Sequence, residues 1–293
     1  MANKTIKIGK SVIGEDNPIY FIAEIGINHN GDMQIAKKLI DGAFACNWHC
    51  VKFQKRTPDD CVPEEQKNIL KETPWGKMTY LDYKKRIEFE TNEYNYIENY
   101  CAMKPIDWSA SPWDLKSLNF LLDYDLPFIK IASAMLTNDE LLIAAAKSKV
   151  PVFLSTGMST LDEIDHAVEI LEKDTDGDYI LFHTNSAYPS PEKELNLKVI
   201  KTLKERYNCI IGYSGHEFGL EASMLAVSLG ASVIERHITL DHRLWGSDQA
   251  SSLEMKGMDF LYKRTENISI MMGSDKKVVT ESELSARKKL RGN

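Results

Sequence analysis

Short apolar runs alternate along the chain with longer amphipathic segments. Each run ends in small or polar residues, and we count eight of them, at residues 19–26, 50–54, 106–112, 127–133, 151–157, 179–185, 209–215 and 232–238. Their apolar character is continuous and does not alternate with polar positions, which is typical of strands buried on both faces. The pattern therefore predicts a mostly parallel sheet.

The segments between these runs have the spacing of amphipathic helices. The clearest lie at residues 33–46, 159–173, 217–230 and 258–273. Ser159 or Thr160 is a candidate N-cap for the second, and Gly230 stands where the third would end. Eight strand–helix units predict an α/β fold, a (β/α)8 TIM barrel. An open doubly wound sheet is the alternative, less favoured because no G-x-G-x-x-G follows the first run.

Three segments lie outside the strand–helix repeat. Residues 1–18 carry turn signals and predict a short N-terminal β-hairpin before the first barrel strand. Residues 55–80 form a long polar insertion, and loops of that length in a compact domain are often functional. Residues 274–293 are expected to be a C-terminal tail. No linker or change of composition divides the chain, so we expect a single barrel domain over residues 1–293.

Composition excludes some classes of protein. The 36 Lys and Arg against 43 Asp and Glu give a net charge of -7, whereas nucleic-acid binders normally present a basic surface. No run approaches the roughly 18 apolar residues of a membrane span, and the first ten residues lack the apolar stretch of a secretory signal. The five cysteines form no C-x-x-C pair, which suggests reduced thiols. We therefore expect a cytoplasmic protein that binds neither nucleic acid nor membrane.

Polar side chains cluster at the ends of the predicted strands, where barrel enzymes place their active sites. They include Glu24, Lys52, Gln54, Ser111, Lys130, Ser133, Ser155, Asn185, Ser214, His216, Glu235 and His237. His216 and His237 end the neighbouring strands seven and eight, so they can reach one point. Two neutral imidazoles with a carboxylate and water suit Mn²⁺, Zn²⁺, Co²⁺ or Fe²⁺. Asp248 and Glu24 are the candidates for the carboxylate.

Two lysines lie inside apolar strands. Lys52 in "VKFQ" and Lys130 in "IKIAS" would each bury an ammonium group, which is costly without a partner. An anionic ligand would offset that cost, and neighbouring hydroxyls and backbone amides would complete a phosphate or carboxylate site. We therefore expect an anionic substrate.

Six motifs in order along the chain carry a resemblance: "FIAEIGINHNGD", "VKFQ", "IKIAS", "LSTGMST", "GYSGHE" and "ERHITLD" followed by "GSDQASSLE". Together they closely resemble the sialic acid synthase family, which includes the N-acetylneuraminate, pseudaminic acid and legionaminic acid synthases. The family fold is a (β/α)8 barrel. The resemblance implies a metal-dependent condensation of phosphoenolpyruvate with an open-chain aldose, a hexosamine such as N-acetylmannosamine. The products are a nine-carbon 2-keto-3-deoxy acid and phosphate.

The resemblance also implies roles for residues. His216 and His237 are expected to bind a divalent metal, Mn²⁺ first, with Mg²⁺ or Co²⁺ as alternatives. The expected catalytic residues are Glu24, Asp248, Lys52 and Lys130. The expected substrate-binding residues are Gln54, Ser111, Ser133, Ser155, Asn185, Ser186, Tyr188 and Ser214, with Tyr188 contacting the sugar. A homo-oligomer, a dimer or larger, is expected.

The chain departs from the family pattern in places. Ala134 and Met135 stand where the family typically has a glutamate that handles the sugar. We also expect the protein to lack the family's antifreeze-like domain, and therefore expect looser selectivity for the N-acyl group. A 3-deoxy-octulosonate-type synthase using a pentose phosphate is an alternative, with Arg56 and Arg243 as candidate phosphate ligands. A metal-dependent aldolase or hydrolase is disfavoured, because it would need an H-x-H pattern on strand one that His29 alone does not supply.

Overall fold

Eight parallel strands form the centre of the protein, and the computed structural model describes residues 4–292 of the chain. The barrel strands are β3 (Tyr20–Gly26), β4 (Cys50–Lys55), β7 (Asp107–Pro112), β8 (Ile129–Ile131), β9 (Val152–Ser155), β10 (Tyr179–Thr184), β11 (Ile210–Gly215) and β12 (Val233–His237). Their spatial order is β7-β4-β3-β12-β11-β10-β9-β8. All eight coincide with the apolar runs, and the predicted barrel is confirmed.

The two outer strands of this order, β7 and β8, meet at the seam of the barrel. There Ser109 Oγ donates a hydrogen bond of 2.6 Å to the carbonyl oxygen of Phe128, one residue before β8 begins. A side chain thus bridges the seam, and the C-terminal ends of all eight strands face the same side.

Helices follow the strands and cover the outside of the barrel. They are α1 (Met33–Ala45), α5 (Thr91–Met103), α6 (Leu115–Leu121), α7 (Asp139–Lys147), α8 (Leu161–Asp174), α9 (Val199–Arg206), α10 (Glu221–Ser228) and α11 (Met255–Met272). Thr160 caps α8 and forms a capping box with Glu163. It is one of the two N-cap candidates, Ser159 and Thr160, predicted for this helix. Gly230, with φ of +100°, follows the end of α10, as the sequence predicts.

The predicted N-terminal hairpin is present and closes the end of the barrel opposite the strand C-termini. Its strands are β1 (Thr5–Ile8) and β2 (Ser11–Gly14), while residues 1–3 lie outside the described part of the chain. Ile6, Ile8 and Ile13 pack in one buried cluster with Phe128 and Phe153 of the barrel floor. The hairpin therefore stabilises the barrel and leaves the other end free for a ligand.

The expected long loop after β4 is folded. It contains α2 (Pro58–Cys61), α3 (Glu64–Lys67), the hairpin strands β5 (Leu70–Thr73) and β6 (Gly76–Thr79), and α4 (Tyr80–Ile87). Trp75 and Tyr83 contact Trp245 edge to face, with ring centroids 6.0 and 5.0 Å apart. The insertion thus packs on the loop that follows β12, at the strand C-terminal end.

The C-terminal segment continues as a helix, α12 (Glu281–Arg291), whose side chains are all exposed. Thr280 and Glu283 form a capping box at its start, which explains why this polar segment is helical. Residue 293 of the predicted tail lies outside the described residues. Between residues 4 and 292, none of the helices is both long enough and apolar enough to cross a bilayer.

Candidate active site

The strand C-termini enclose a polar cavity of about 170 Å³. Twelve residues predicted from the sequence line it: Glu24, Lys52, Gln54, Ser111, Lys130, Ser133, Ser155, Ser186, Tyr188, Ser214, His216 and His237. Trp113, Met158 and Thr184 line it as well without having been predicted, and Glu235 lines it as a member of the strand-end cluster to which no role was assigned. The predicted cluster is therefore brought together, apart from Asp248 and Asn185.

Lys52 lies at the centre of one wall of the cavity. Its Nζ is 2.6 Å from Glu24 Oε2 and 3.0 Å from Ser111 Oγ. The register explains the pairing, because Glu24 on β3 is directly opposite Lys52 on β4. Burial alone would lower the pKa of Lys52, but the carboxylates of Glu235 and Glu24 outweigh it and raise that pKa. Lys52 is a firmly charged ammonium group.

Lys130 approaches the same cavity from β8. Its Nζ donates to Ser155 Oγ at 2.7 Å and to Glu235 Oε1 at 3.1 Å. Burial lowers the pKa of Lys130, the nearby charge of Lys52 lowers it further, and Glu235 opposes both. Glu235 is therefore the main group that opposes the loss of the Lys130 proton.

Glu235 was predicted at a strand end without a role. It lies between the two lysines, 3.8 Å from Lys52 Nζ, and accepts a hydrogen bond of 3.1 Å from Ser214 Oγ. Burial would raise its pKa, but Lys130 and Lys52 lower it to about 2. Its Oε2 is buried without a hydrogen-bond partner in the described part of the chain. The signal was the alternation in β12, because Glu235 and His237 share one face of the strand.

Arg236, between them, points out of the barrel. Its guanidinium donates to Glu217 Oε1 at 3.0 Å and to the Glu217 carbonyl at 2.6 Å, and Tyr213 Oη donates to Glu217 Oε2 at 2.8 Å. Arg236 is 1% exposed. This buried pair fixes the loop after β11, where His216 lies next to Glu217.

The two histidines face each other with ring centroids 5.5 Å apart. His216 Nδ1 lies 2.7 Å from the Asn185 carbonyl oxygen. A carbonyl oxygen can only accept a hydrogen bond, so Nδ1 carries the proton. Tyr188 Oη lies 2.8 Å from His216 Nε2 and can donate to it. Burial, followed by the neighbouring His237, lowers the pKa of His216 to about 3. His216 is therefore neutral, with its Nε2 lone pair facing the cavity.

His237 and its neighbours complete this corner. A Cβ atom on Gly26, which has φ of +54°, would lie 3.2 Å from each of Glu24 Oε1, Gln54 Nε2 and His237 Cε1. These three side chains therefore converge on one point, where only glycine leaves room. His237 Nδ1 is buried without a hydrogen bond among residues 4–292, and Asp248 Oδ2 lies 3.9 Å away from it.

These residues fit a divalent metal as a pair of nitrogen ligands. A neutral imidazole whose Nδ1 is bound to a backbone carbonyl is the usual form of a metal-binding histidine. No three His, Cys, Asp or Glu side chains of the described chain already surround a single point. Asp248 is the carboxylate nearest to His237, and a water or a substrate oxygen would complete the set.

The opposite wall carries hydroxyls. Ser133 Oγ accepts a hydrogen bond of 3.0 Å from the Gly157 amide. A Cβ atom on Gly157 would collide with the hydroxyl oxygens of Ser133 and Ser186. Glycine in "LSTGMS" therefore lets two hydroxyls and a backbone amide approach one another, as anion binding requires.

Asn185 is the predicted site residue that the structure places elsewhere. Its side chain is used within its own loop, where Oδ1 accepts from the Ala187 amide at 2.9 Å and Nδ2 donates to the Glu194 carbonyl at 3.2 Å. Only its backbone carbonyl reaches the site, through His216. The prediction that the Asn185 side chain binds substrate is not supported by this geometry, because its polar atoms are occupied.

A larger groove of about 770 Å³ lies on the flank of the barrel, lined by apolar side chains such as Leu195, Phe218 and Leu225. It contains none of the strand-end lysines or the paired histidines. Size alone does not define an active site, and the convergent charged groups lie in the smaller cavity.

Fold and cavity together define a (β/α)8 barrel enzyme with its site at the strand C-termini. Comparisons with known proteins give its family: residues 39–277 match the NeuB family. The chain is 38% identical to the N-acetylneuraminate-9-phosphate synthase of Drosophila melanogaster, over 86% of this chain and 68% of the other. It is 35% identical to the N,N'-diacetyllegionaminic acid synthase of Campylobacter jejuni, over 89% and 80%.

A solved structure agrees with these relatives. The N-acetylneuraminic acid (sialic acid) synthetase of Leptospira borgpetersenii, crystallised in complex with citrate, is 35% identical to this chain. It superposes with a TM-score of 0.88 and covers 99% of both chains. The protein belongs to the NeuB family and is a synthase of the sialic acid synthase type.

Proposed function

We propose that the protein condenses phosphoenolpyruvate with an open-chain aldose, a hexosamine such as N-acetylmannosamine or a relative, to give a nonulosonate and phosphate. The relatives named for sialic and legionaminic acids support this reaction class. One observation carries it to this chain: two buried lysines lie in the same small cavity as two histidines. The lysine pair suits an enol phosphate, and the histidine pair suits an aldehyde beside it.

The lysines provide the site for phosphoenolpyruvate. Lys52 and Lys130 offer two ammonium groups, and Ser111 and Ser155 already hydrogen-bond to them. A phosphate and a carboxylate on one small molecule can each take a lysine and a hydroxyl. The hydroxyls of Ser133, Ser186 and Ser214 extend the same wall. As the C–O bond to phosphate breaks, the ammonium groups stabilise the charge on the departing group.

The histidines serve the aldehyde. A divalent metal held by His216 and His237, with Mn²⁺ as first candidate and Mg²⁺ or Co²⁺ as alternatives, would act as a Lewis acid on the aldehyde oxygen. Tyr188 Oη now occupies His216 Nε2, so it must give up this contact when that nitrogen becomes a ligand. The freed hydroxyl, already at the cavity wall, is then available to a sugar hydroxyl.

The carboxylates handle the protons. In the reaction the enol carbon forms a bond to the aldehyde carbon, water adds at C2, and the bond from C2 to the phosphate oxygen breaks. Glu24 is ion-paired to Lys52 and accepts a hydrogen bond of 2.9 Å from Gln54, so it is held in place beside the reacting carbons. Glu24 takes the proton of the added water. Asp248, close to His237, is the second acid/base group and supplies the proton that the aldehyde oxygen takes up on becoming a hydroxyl.

The test is a screen for phosphate release with phosphoenolpyruvate, Mn²⁺ and a panel of aldoses and N-acyl hexosamines. Phosphate release that depends on an aldose, with a 2-keto-3-deoxy acid identified by mass, supports the proposal. Release of pyruvate from a preformed keto acid, without consumption of phosphoenolpyruvate in any mixture, would indicate an aldolase instead. The relatives include a 9-phosphate synthase, so the panel includes phosphorylated sugars.

A further inference from the structure

Three basic side chains lie on the segment that follows β4, here called the rim cations: Arg56, just beyond β4, Lys71 on β5 and Lys84 on α4. Each contacts an aromatic ring. Arg56 lies over the Trp113 ring at 4.1 Å, Lys71 over Tyr80 at 4.3 Å, and Lys84 over Tyr80 and Tyr83 at 5.3 and 5.4 Å. No ion pair of these three side chains with a carboxylate occurs within residues 4–292 at the distance limit of 4.0 Å.

Arg56 is tied to the end of the helix that carries Lys84. The backbone amide of Arg56, just beyond β4, donates to Glu88 Oε1 at 2.9 Å. Lys84 lies in α4, four residues before Glu88, which directly follows the end of that helix. Burial lowers the pKa of Lys84 to about 8, and the charge of Arg56 contributes to the same direction. Two like charges are thus kept close together.

Arg56 connects this cluster to the cavity. Its Nη2 donates to Gln54 Oε1 at 2.5 Å, and its guanidinium stacks on Trp113, and both Gln54 and Trp113 line the cavity. Trp113 Nε1 is buried without an acceptor among the residues described. The wall nearest Arg56 therefore carries an unused hydrogen-bond donor beside an unpaired cation.

The nearby carboxylates are engaged elsewhere. Glu88 Oε1 lies 3.3 Å from Lys55 Nζ in addition to binding the Arg56 amide. Asp248 Oδ1 accepts from Ser247 Oγ at 2.6 Å, and the charge of Asp248 acts on Lys84 without closing an ion pair, raising a pKa that burial and Arg56 lower. Arg243, the other basic residue considered for a phosphate, is bound at its guanidinium by both oxygens of Asp241. Among the described residues the rim cations thus have no close carboxylate partner, and neither does Arg86, which lies over the Trp75 ring at 4.6 Å.

We propose that Arg56 and Lys84, with Lys71 outside them, bind a phosphate ester at the far end of the acceptor sugar, so that the enzyme uses a phosphorylated aldose in preference to the free sugar. This inference rests on the proposed function, because the aldehyde end must lie at His216 and His237 while the other end reaches the mouth. A dianion between two cations removes the repulsion that the empty site contains, and guanidinium and ammonium groups are the usual partners of phosphate.

The experiment compares kcat/KM for N-acetylmannosamine 6-phosphate with that for N-acetylmannosamine, and likewise for mannose 6-phosphate and mannose, at saturating phosphoenolpyruvate. We expect the phosphorylated sugar of each pair to be preferred by about 100-fold or more, near the effect of a buried charge pair. In Lys84→Met and Arg56→Met that ratio should fall at least about 10-fold. Lys84→Arg should recover much of it, because a cation is restored.

Lys85→Met is the matched control, since Lys85 is on the same helix but pairs with Asp59 on the surface, and it should keep the wild-type ratio. Equal kcat/KM for free and phosphorylated sugars in the wild type would overturn the phosphate site while leaving the proposed function intact. Absence of turnover with every acceptor would overturn the proposed function and this inference with it. Faster turnover of a pentose 5-phosphate than of either hexose would support the phosphate site and select the octulosonate-type reaction.

Discussion

Glu235 Oε1 lies 3.1 Å from Lys130 Nζ, and both side chains are buried at the centre of the cavity. The same oxygen is 3.8 Å from Lys52 Nζ. This carboxylate opposes the effect of burial on both ammonium groups, and Glu24 adds to it at Lys52. Lys52 therefore meets an anionic substrate as a cation, whereas the charge of Lys130 depends on Glu235.

The first prediction concerns Glu235→Gln. Burial already lowers the pKa of Lys130 and Glu235 opposes this, so removing the carboxylate should lower that pKa further. Affinity for phosphoenolpyruvate should then fall more steeply in the variant than in the wild type as the pH rises from neutral to alkaline, because Lys130 loses its proton more readily. Calorimetric titrations across this range measure the effect. Parallel pH profiles for the two proteins would show that Glu235 does not control the charge of Lys130.

The second prediction concerns Lys130→Met, which removes the ammonium but keeps a chain of similar length. Binding of phosphoenolpyruvate should weaken by about 2–5 kcal/mol, because one partner of a buried charge pair is lost. Lys147→Met is the control, since Lys147 is exposed at the end of α7. The dissociation constant of this variant for phosphoenolpyruvate should match that of the wild type. An unchanged constant in Lys130→Met would remove Lys130 from the substrate site.

The third prediction concerns the metal. Protein treated with a chelator should lose phosphate release, and Mn²⁺ or Co²⁺ should restore it, because His216 and His237 present nitrogen ligands to one cavity. Mn²⁺ should bind once per chain in a direct titration, and His216→Gln and His237→Gln should each weaken that binding. His166→Gln, at an exposed histidine, should not. Full activity in metal-free protein, or unchanged Mn²⁺ binding in both variants, would exclude this site.

Much of the fold and site could be predicted from the sequence because barrel strands are buried on both faces. Continuous apolar runs located all eight strands, and closure of the barrel placed polar residues such as Lys52 and His237 at one end. This reasoning uses only the direction of each strand and the alternation of its side chains, which the sequence contains.

The remainder depends on contacts that periodicity does not contain. Residues 55–80 were predicted to be a loop because their short helices and hairpin have little apolar patterning. Trp75 and the nearby Tyr83 pack against Trp245, which is distant in sequence. The Asn185 side chain was predicted at the site from its position after a strand. Its local hydrogen bonds to Ala187 and Glu194 turn it away, and such local competition is common for asparagine.

The fourth prediction concerns stability at acid pH and rests on His29. Its ring stacks on Phe89 with centroids 3.8 Å apart, its Nδ1 accepts from the Gly31 amide, and burial lowers its pKa to about 3. Below a pKa of about 6.5, His29 binds a proton in the unfolded chain, whereas in the folded chain it stays neutral until the pH approaches about 3. Stability should therefore fall with pH from about 6.5 towards about 3, by roughly 2–3 kcal/mol at about pH 4.5 from this residue.

The variant His29→Asn keeps a hydrogen-bond acceptor but cannot titrate. Urea unfolding at neutral pH and at about pH 4.5 should show a smaller loss of unfolding free energy in His29→Asn than in the wild type. His166→Asn, at an exposed position, should lose as much as the wild type does. Equal losses in all three proteins would mean that His29 accepts its proton without unfolding.

The last prediction concerns Arg236, whose buried guanidinium donates to the side chain and the carbonyl of Glu217. Arg236→Met would leave the Glu217 carboxylate buried with only the Tyr213 hydroxyl, which should cost about 3–5 kcal/mol of unfolding free energy. Because His216 precedes Glu217, the loosened loop should also weaken Mn²⁺ binding. Arg206→Met breaks a comparable pair with Asp165 that is exposed, so its effect on urea unfolding should be much smaller. If both variants lower stability equally, or if Arg236→Met binds Mn²⁺ like the wild type, the buried pair does not hold His216 in position.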